Sequence, residues 1–219
     1  GIGKKEQAFA VLNSGGCNIG NFVLPFATGF LNPAGVMAVS LFDVGNGFVC
    51  LGGACAVADM VQSGSGRFSL KPMLKTLGRS VALITYIIMT VLSACGISLP
   101  NPVTEFAGIV GSANPFLAML MLGVGFNISF RKDQILRVVR ILLPRYLIGL
   151  ALALLSYYVF PFAIDTRKAL VILFLAPVGS AAPAFTAQLG GDYGLASAVN
   201  SFSILTSITL IVASLVLMA

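Results

Sequence analysis

One carboxylate inside an apolar stretch is the first residue that could do chemistry. Asp43 lies in Ser40-Leu-Phe-Asp43-Val-Gly-Asn46, in the middle of the apolar stretch 34–58. If that stretch crosses a bilayer, the charge costs at least about 2.5–3.5 kcal/mol, so a functional role is the default interpretation. Asp43 could carry a coupling proton, bind a cation, or accept a hydrogen bond from Asn46 one turn away. The alternative is a structural hydrogen bond to a broken helix. The pair is our candidate for coupling or gating.

Two other apolar stretches contain residues that break helices and form hydrogen bonds. Between Asn13 and Asn21, seven of nine residues are Asn, Ser or Gly, and Pro25 follows. Stretch 168–189 is interrupted in the same way. Two Gly/Pro-interrupted spans are the pattern that indicates a transporter binding site, although small residues also serve close helix packing. The candidate substrate-binding residues are Asn18, Asn21, Pro25, Pro177, Ser180, Pro183 and Thr186.

The elements that must position these residues are transmembrane helices. The chain is 58% hydrophobic and only 9% charged, whereas soluble domains are roughly a quarter charged. Seven stretches are long enough to cross about 30 Å of hydrocarbon as helices. They are 7–31, 34–58, 76–98, 105–129, 136–162, 168–189 and 194–218. The predicted fold class is therefore an all-α membrane protein.

The distribution of Lys and Arg predicts the orientation. The chain has 13 basic and 7 acidic residues, and 11 of the basic ones fall on alternate sides that the positive-inside rule assigns to the cytoplasm. Those 11 are Lys4, Lys5, Arg67, Lys71, Lys75, Arg79, Arg131, Lys132, Arg137, Arg140 and Arg145; the other side holds Arg167 and Lys168. Loops 62–75 and 131–145 are thus predicted to be cytoplasmic, and the C-terminus extracytoplasmic. The Ser/Gly-rich segment 62–75 is the predicted linker between 1–61 and 76–219.

Composition also narrows the function classes. The four cysteines have no metal-site spacing and no disulfide framework, so we interpret them as small helix-packing residues. Without any histidine, imidazole catalysis and His-based zinc sites are excluded. We expect no metal, no cofactor and no nucleic-acid partner. The chain begins with Gly1 and a basic stretch, so we expect that upstream sequence is missing.

Several motifs together resemble the auxin efflux carrier family of membrane transporters. They are Asn18-Ile-Gly20-Asn21-Phe-Val-Leu-Pro25, then Leu41-Phe42-Asp43 with Asn46, then Ala113-Asn114-Pro115 through Gly123, then Ala176-Pro177 through Ala187-Gln188-Leu-Gly190-Gly191-Asp192, then Ala196-Ser197 and Thr206-Ser207. The likeness extends over essentially the whole chain and depends on the order and spacing of the motifs.

The resemblance implies ten helices in two inverted five-helix repeats, with two broken helices crossing at mid-membrane. On this chain, 1–61 would be the remainder of the first repeat and 76–219 the second, with about three N-terminal helices absent. Family members move auxin in plants and dicarboxylates in bacteria, and the short loops here are more similar to the bacterial kind.

The predicted function is a carrier in the plasma or inner membrane that moves a small organic anion by alternating access. Its expected partners are that anion, the lipid bilayer and, as further options, protons and a second copy of the chain. A channel or non-transporting receptor is the main alternative. An intramembrane aspartyl protease is disfavoured because Asp43 lacks a second carboxylate at membrane depth, and no enzymatic activity is expected.

Overall fold

The structure is a computed structural model that describes residues 3–64, 74, 78, 81–124 and 132–218. In this part of the chain all regular structure is helical and no β-strand occurs. The helices are α1 Lys4–Ser14, α2 Leu24–Phe30, α3 Pro33–Phe48, α4 Ala54–Ser63, α5 Val81–Ala94, α6 Asn101–Ser112, α7 Asn114–Val124, α8 Lys132–Tyr158, α9 Ile164–Phe174, α10 Ala182–Gln188 and α11 Tyr193–Leu217. Two π-helical turns, Ile19–Val23 and Val49–Gly53, lead into α2 and α4.

Two of the described helices are long and apolar enough to cross a membrane. They are the stretch Gln134–Tyr158 of α8 and the whole of α11, each of 25 residues. Ile19–Phe30 and Ile84–Ala94 are apolar but shorter. Together with the low charge content, these helices indicate membrane association. The all-α class is confirmed, while the arrangement of seven spans in two inverted repeats stays a prediction.

Local sequence explains where the interrupted helices break and restart. Pro25 has no N–H to donate and its ring crowds the carbonyl one turn earlier. The chain before it winds as the wider π-helical turn Ile19–Val23, in which the N–H of Leu24 bonds to the carbonyl of Ile19. Helix α3 then starts at an N-cap, because the side-chain oxygen of Asn32 accepts from the N–H of Gly35 at 2.9 Å.

The core lies around the two interrupted helices. Its largest cluster contains Phe22 from the first π-helical turn, Val39 from α3 and Ile172 from α9, all fully buried. A second cluster joins α8 to α11 through residues such as Leu142 and Val199. The interruptions are therefore enclosed by apolar side chains, which holds unwound backbone in place.

Two loop predictions require correction or lie outside the described residues. Segment 132–145 is helical rather than a loop, because these residues form the first half of α8; its cytoplasmic location stays a prediction. The linker 62–75 is shorter than predicted, since residues 62 and 63 still belong to α4. Residues 65–73 and 75 of that linker lie outside the described residues.

Candidate functional site

The two interrupted helices meet at their breaks. The first break is residues 15–18, which follow α1, and the second break is residues 175–181, which follow α9. We call the place where the two breaks meet the crossing. Cys17 and Val178 pair there as an isolated antiparallel bridge. The N–H of Asn18 donates to the carbonyl of Pro177 at 2.9 Å, and the N–H of Gly179 donates to that of Gly16 at 3.2 Å. The two Gly/Pro-rich stretches identified from sequence are thus brought together, and each break supplies backbone partners for the other.

Glycine is required at the contact between the breaks. A Cβ atom on Gly16 would lie 2.5 Å from the sulfur of Cys50, and one on Gly179 would lie 3.0 Å from the same sulfur. The Cys50 thiol also donates to the carbonyl of Cys17 at 3.3 Å. Cys50 therefore packs against both breaks, as predicted for the cysteines, whereas Cys95 is exposed.

Asn46 of α3 holds the first break. Its amide nitrogen donates to the carbonyl of Cys17 at 2.8 Å, and its amide oxygen accepts from the N–H of Cys17 at 3.0 Å. The side chain thus replaces both helical hydrogen bonds that Cys17 loses in the break. The same nitrogen lies 3.3 Å from a carboxylate oxygen of Asp43, so the hydrogen bond considered between these two residues is present.

The second break is held by the helix that follows it, in the same manner. The N–H of Val178 donates to the hydroxyl of Ser203 on α11 at 3.0 Å. Tyr146 of α8 donates its hydroxyl proton to the Ser203 carbonyl at 2.6 Å. Helix α11, like α3, begins at an acidic or amide N-cap, since Asp192 accepts from the N–H of Leu195 at 2.9 Å. Segments 4–48 and 164–217 therefore share one local plan: helix, break, short helix, capped long helix.

Arg145 of α8 contacts both breaks. One of its terminal nitrogens donates to the carbonyl of Ser14, the last residue of α1. The other lies 3.1 Å from the carbonyl oxygen of Ala176, 3.3 Å from that of Pro177 and 3.3 Å from the sulfur of Cys17. These carbonyls lack helical partners because α1 and α9 end there. A single guanidinium thus satisfies acceptors at the carboxyl ends of both interrupted helices.

A cavity of about 230 Å³ lies against the first break, and we call it the crossing cavity. It is lined by polar residues from three segments: Asn18 and Asn21 after the first break, Asp43 and Asn46 on α3, and Ser180 in the second break. Tyr86 of α5 and the thiols of Cys17 and Cys50 complete its polar lining. The crossing cavity therefore combines amide, hydroxyl and carboxyl groups at the point where the helices are open.

Asn18 is the least satisfied group in this cavity. Its side chain is only 4% exposed, and its amide nitrogen has no hydrogen-bond partner among the described residues. A buried donor without a partner costs roughly 1–3 kcal/mol. Asn18 is thus a residue of the cavity lining that has a buried donor to spare.

The remaining predicted site residues lie outside this cavity. Pro25 is half-buried in the first turn of α2, and Pro183 is buried in the first turn of α10. Pro177 belongs to the second break and offers its carbonyl to Asn18 and Arg145. Thr186 is buried on α10, where its hydroxyl accepts from the amide of Asn13 at 3.1 Å. The three prolines shape the breaks, and Thr186 joins α10 to α1.

Arg145 and Tyr86 were missed by the sequence analysis. Arg145 was counted among the charges of a cytoplasmic loop, although it lies 13 residues inside α8. The signal was an arginine directly after Pro144 and directly before the apolar run 146–155, because ionisable residues at membrane depth are functional candidates by default. Tyr86 carried no signal, since its partners come from distant parts of the chain.

No family model, no curated protein and no solved structure matches this chain. Among the described residues, no cluster of three metal-ligating side chains occurs.

Proposed function

We propose that this chain belongs to a secondary transporter that moves a small organic anion, such as a mono- or dicarboxylate or an auxin-like acid, by alternating access. The observation that carries the proposal is the polar lining of the crossing cavity where the two interrupted helices meet, which includes Asn18, a residue whose buried amide nitrogen has no partner among the described residues. That nitrogen is a ready donor for the carboxylate oxygen of a substrate.

The size and position of the cavity support a small substrate. At about 230 Å³ it falls below the range of roughly 300–1,000 Å³ that holds drug-sized ligands. It lies at the break of the segment that continues as the 12-residue apolar helix Ile19–Phe30. Broken helices whose open ends face a polar cavity are the site architecture of many carriers. The motif resemblance to the auxin efflux carrier family supports the same substrate class.

Asp43 is proposed to couple transport to protons. Its carboxylate is the single acidic group among the described residues that line the crossing cavity, and it contacts the amide of Asn46, which holds the first break. The described titratable groups that share the cavity with it are Tyr86, Cys50 and Cys17. A change in the charge of Asp43 would therefore alter its contact with Asn46, whose side chain bonds to the backbone of the first break. A lone carboxylate also disfavours an aspartyl-protease function, which needs two.

The architecture extends the same proposal. We place the chain in the cell membrane as a multi-pass protein of about seven spans, derived from two inverted five-helix repeats. The shared plan of segments 4–48 and 164–217 and the antiparallel bridge between their breaks support an inverted relation. An assembly of two copies is compatible with this proposal.

Counterflow in proteoliposomes tests the proposal. Proteoliposomes that contain the protein are loaded with an unlabelled acid, and uptake of radiolabelled mono- and dicarboxylates is followed. We expect saturable exchange of at least one acid, and a loss of its response to a pH gradient in Asp43→Asn. Flux that does not saturate, together with ionic conductance, would identify a channel instead.

Substitution of Asn18 tests the observation on which the proposal depends. Asn18→Asp keeps the shape of the side chain but replaces the donor with a negative charge, so we expect the KM for the acid to rise more than tenfold. Asn101→Asp makes the same change at the exposed start of α6 and is the matched control. An unchanged KM in folded Asn18→Asp protein would remove the proposed site.

A further inference from the structure

Arg145 lies where an isolated positive charge is expensive. It occupies α8 within the apolar stretch Gln134–Tyr158 that could cross a membrane, and it is half-buried. Among the described residues, Arg145 forms no ion pair with a carboxylate. The ion pair of this helix is instead Arg137 with Glu6 at 3.8 Å. An arginine retained at such a position without an acidic partner requires another source of negative potential.

That source is the carboxyl ends of two helices. Each of α1 and α9 has 11 residues, and a helix carries roughly half a negative charge at its carboxyl end. Both ends face Arg145, through the carbonyl of Ser14 and the carbonyls of Ala176 and Pro177. Two halves amount to about one negative charge, which one guanidinium offsets. Without the guanidinium, the carbonyl dipoles at both carboxyl ends would be uncompensated, close to Asp43.

Arg145 lines a second cavity and contacts a residue that also lines the crossing cavity. A second cavity of about 400 Å³ is lined by Arg145, Arg140, Ser14 and the apolar rings of Phe42 and Phe174. Cys17 lines this cavity and also the crossing cavity. Cys17, in the first break, thus lies between the two cavities. Arg145 lies 3.3 Å from the Cys17 sulfur.

We infer that Arg145 shifts the charge selectivity of the crossing toward anions: by offsetting the negative carboxyl ends of α1 and α9, its guanidinium lowers the repulsion that an anion would meet there and the attraction that a cation would meet. The inference that an anion is the transported species rests on the proposed function. The electrostatic role of Arg145 does not, and it can be measured without transport.

The native thiol of Cys17 reports the local potential. In a variant with Cys50→Ala, Cys55→Ser and Cys95→Ser, Cys17 is treated with an anionic or a cationic alkyl methanethiosulfonate. The thiolate sulfur bonds to the thioalkyl group and methanesulfinate leaves. Because both reagents need the same thiolate, any change in thiolate fraction cancels in the ratio of the two rates. Ser180→Cys, in a background without the native cysteines, gives a second reporter at an exposed position of the crossing cavity.

We expect Arg145→Gln to lower the anion-to-cation rate ratio roughly tenfold at both reporters. Arg145→Lys keeps the charge and should retain most of the ratio. Arg137→Gln removes a charge roughly two turns earlier on the same helix, from a residue that lines neither cavity, and should change the ratio less than twofold. Asp43→Asn should shift the ratio in the opposite direction from Arg145→Gln.

The outcomes separate the two proposals. An unchanged ratio in folded Arg145→Gln protein, or equal losses in Arg145→Lys and Arg145→Gln, would overturn the electrostatic role and leave Arg145 as a structural contact. A ratio that falls as expected in a protein without counterflow of any acid would support the role of Arg145 and contradict the proposed transport. If neither reporter reacts with either reagent, the cavities are closed to ions and the inference is wrong.

Discussion

The two breaks share one local plan but differ in the chemistry that holds them. At the first break, the amide of Asn46 bonds to both backbone groups of Cys17, and Asp43 and Asn18 lie beside it on a cavity wall. At the second, Val178 is fully buried and its N–H is held by one hydroxyl, that of Ser203. Polar groups that could meet a ligand are therefore concentrated at the first break.

The difference indicates that the two breaks have different roles. The second break is buried over residues 175–179, and its carbonyls at Ala176 and Pro177 accept from Arg145. Unwound backbone is costly in an apolar environment unless its groups are satisfied. The second break has protein partners at Ala176, Pro177 and Val178, whereas at the first break the side-chain nitrogen of Asn18 has none among the described residues. We infer that the first break binds the substrate and responds to it, whereas the second break keeps its conformation and supports the first.

Loss of Asn46 should give the largest effect. Asn46→Leu leaves the N–H of Cys17 without its partner and removes the main partner of its carbonyl. Each unsatisfied buried group costs roughly 1–3 kcal/mol. We expect unfolding free energy to fall by roughly 2–4 kcal/mol and counterflow to be lost. Thermal unfolding in detergent measures the first, and proteoliposome uptake the second.

Gly45→Ala is the control for Asn46→Leu, because a methyl group there meets no atom within 4 Å. It should leave both stability and counterflow intact. Wild-type stability in Asn46→Leu would show that water replaces the amide at Cys17. The side chain of Asn46 would then not stabilise the first break more than Ser203 stabilises the second.

A methyl group at Gly16 should be the next most damaging change. Gly16→Ala would place a Cβ atom 2.5 Å from the sulfur of Cys50, and such overpacking costs roughly 1–3 kcal/mol. Gly179→Ala meets the same sulfur at 3.0 Å and should cost less. Adding Cys50→Ala should restore most of the loss in both, which a double-mutant cycle measures. Additive losses would mean that the thiol is not what separates the breaks; Gly29→Ala, with open space around it, is the control.

Sequence reasoning succeeded where the relevant signal is local. The run of Asn, Ser and Gly between Asn13 and Asn21 predicts an interrupted helix because these residues weaken helices wherever they occur. The hydrogen bond between Asp43 and Asn46 was also accessible, since residues three apart lie on the same helix face.

It failed where the partner is distant in sequence. The bond from Asn46 to Cys17 joins residues 29 apart, and that from Arg145 to Cys17 joins residues 128 apart. Counting charges treats every arginine near a span end as a loop residue, so Arg145 was assigned to the cytoplasmic side. Thr186 was predicted to bind substrate together with Ser180, although its position on α10 turns it toward Asn13 instead. No periodicity in a single sequence specifies these pairings.

Ser203→Ala should have a smaller effect than Asn46→Leu, because it removes one partner rather than two. The N–H of Val178 would lose its acceptor, at a cost of roughly 1–2 kcal/mol. We expect a lower midpoint of thermal unfolding with an unchanged KM for the acid. Ser207→Ala, on the same helix, removes only a hydroxyl shared with Tyr146 and serves as the comparison. A raised KM in Ser203→Ala would place the second break in the binding function as well.

Thr186→Val should have the smallest effect on transport. The change keeps the side-chain volume but removes the acceptor of the Asn13 amide, which retains its bond to the carbonyl of Phe9 at 2.9 Å. We expect a loss of roughly 1 kcal/mol in stability and no change in KM. Ser180→Ala is the matched opposite: it lies exposed on the crossing cavity, so it should raise KM severalfold with stability within about 0.5 kcal/mol of wild type. The reverse pattern would move the substrate from the first break toward α10, and the division between the two breaks would then be wrong.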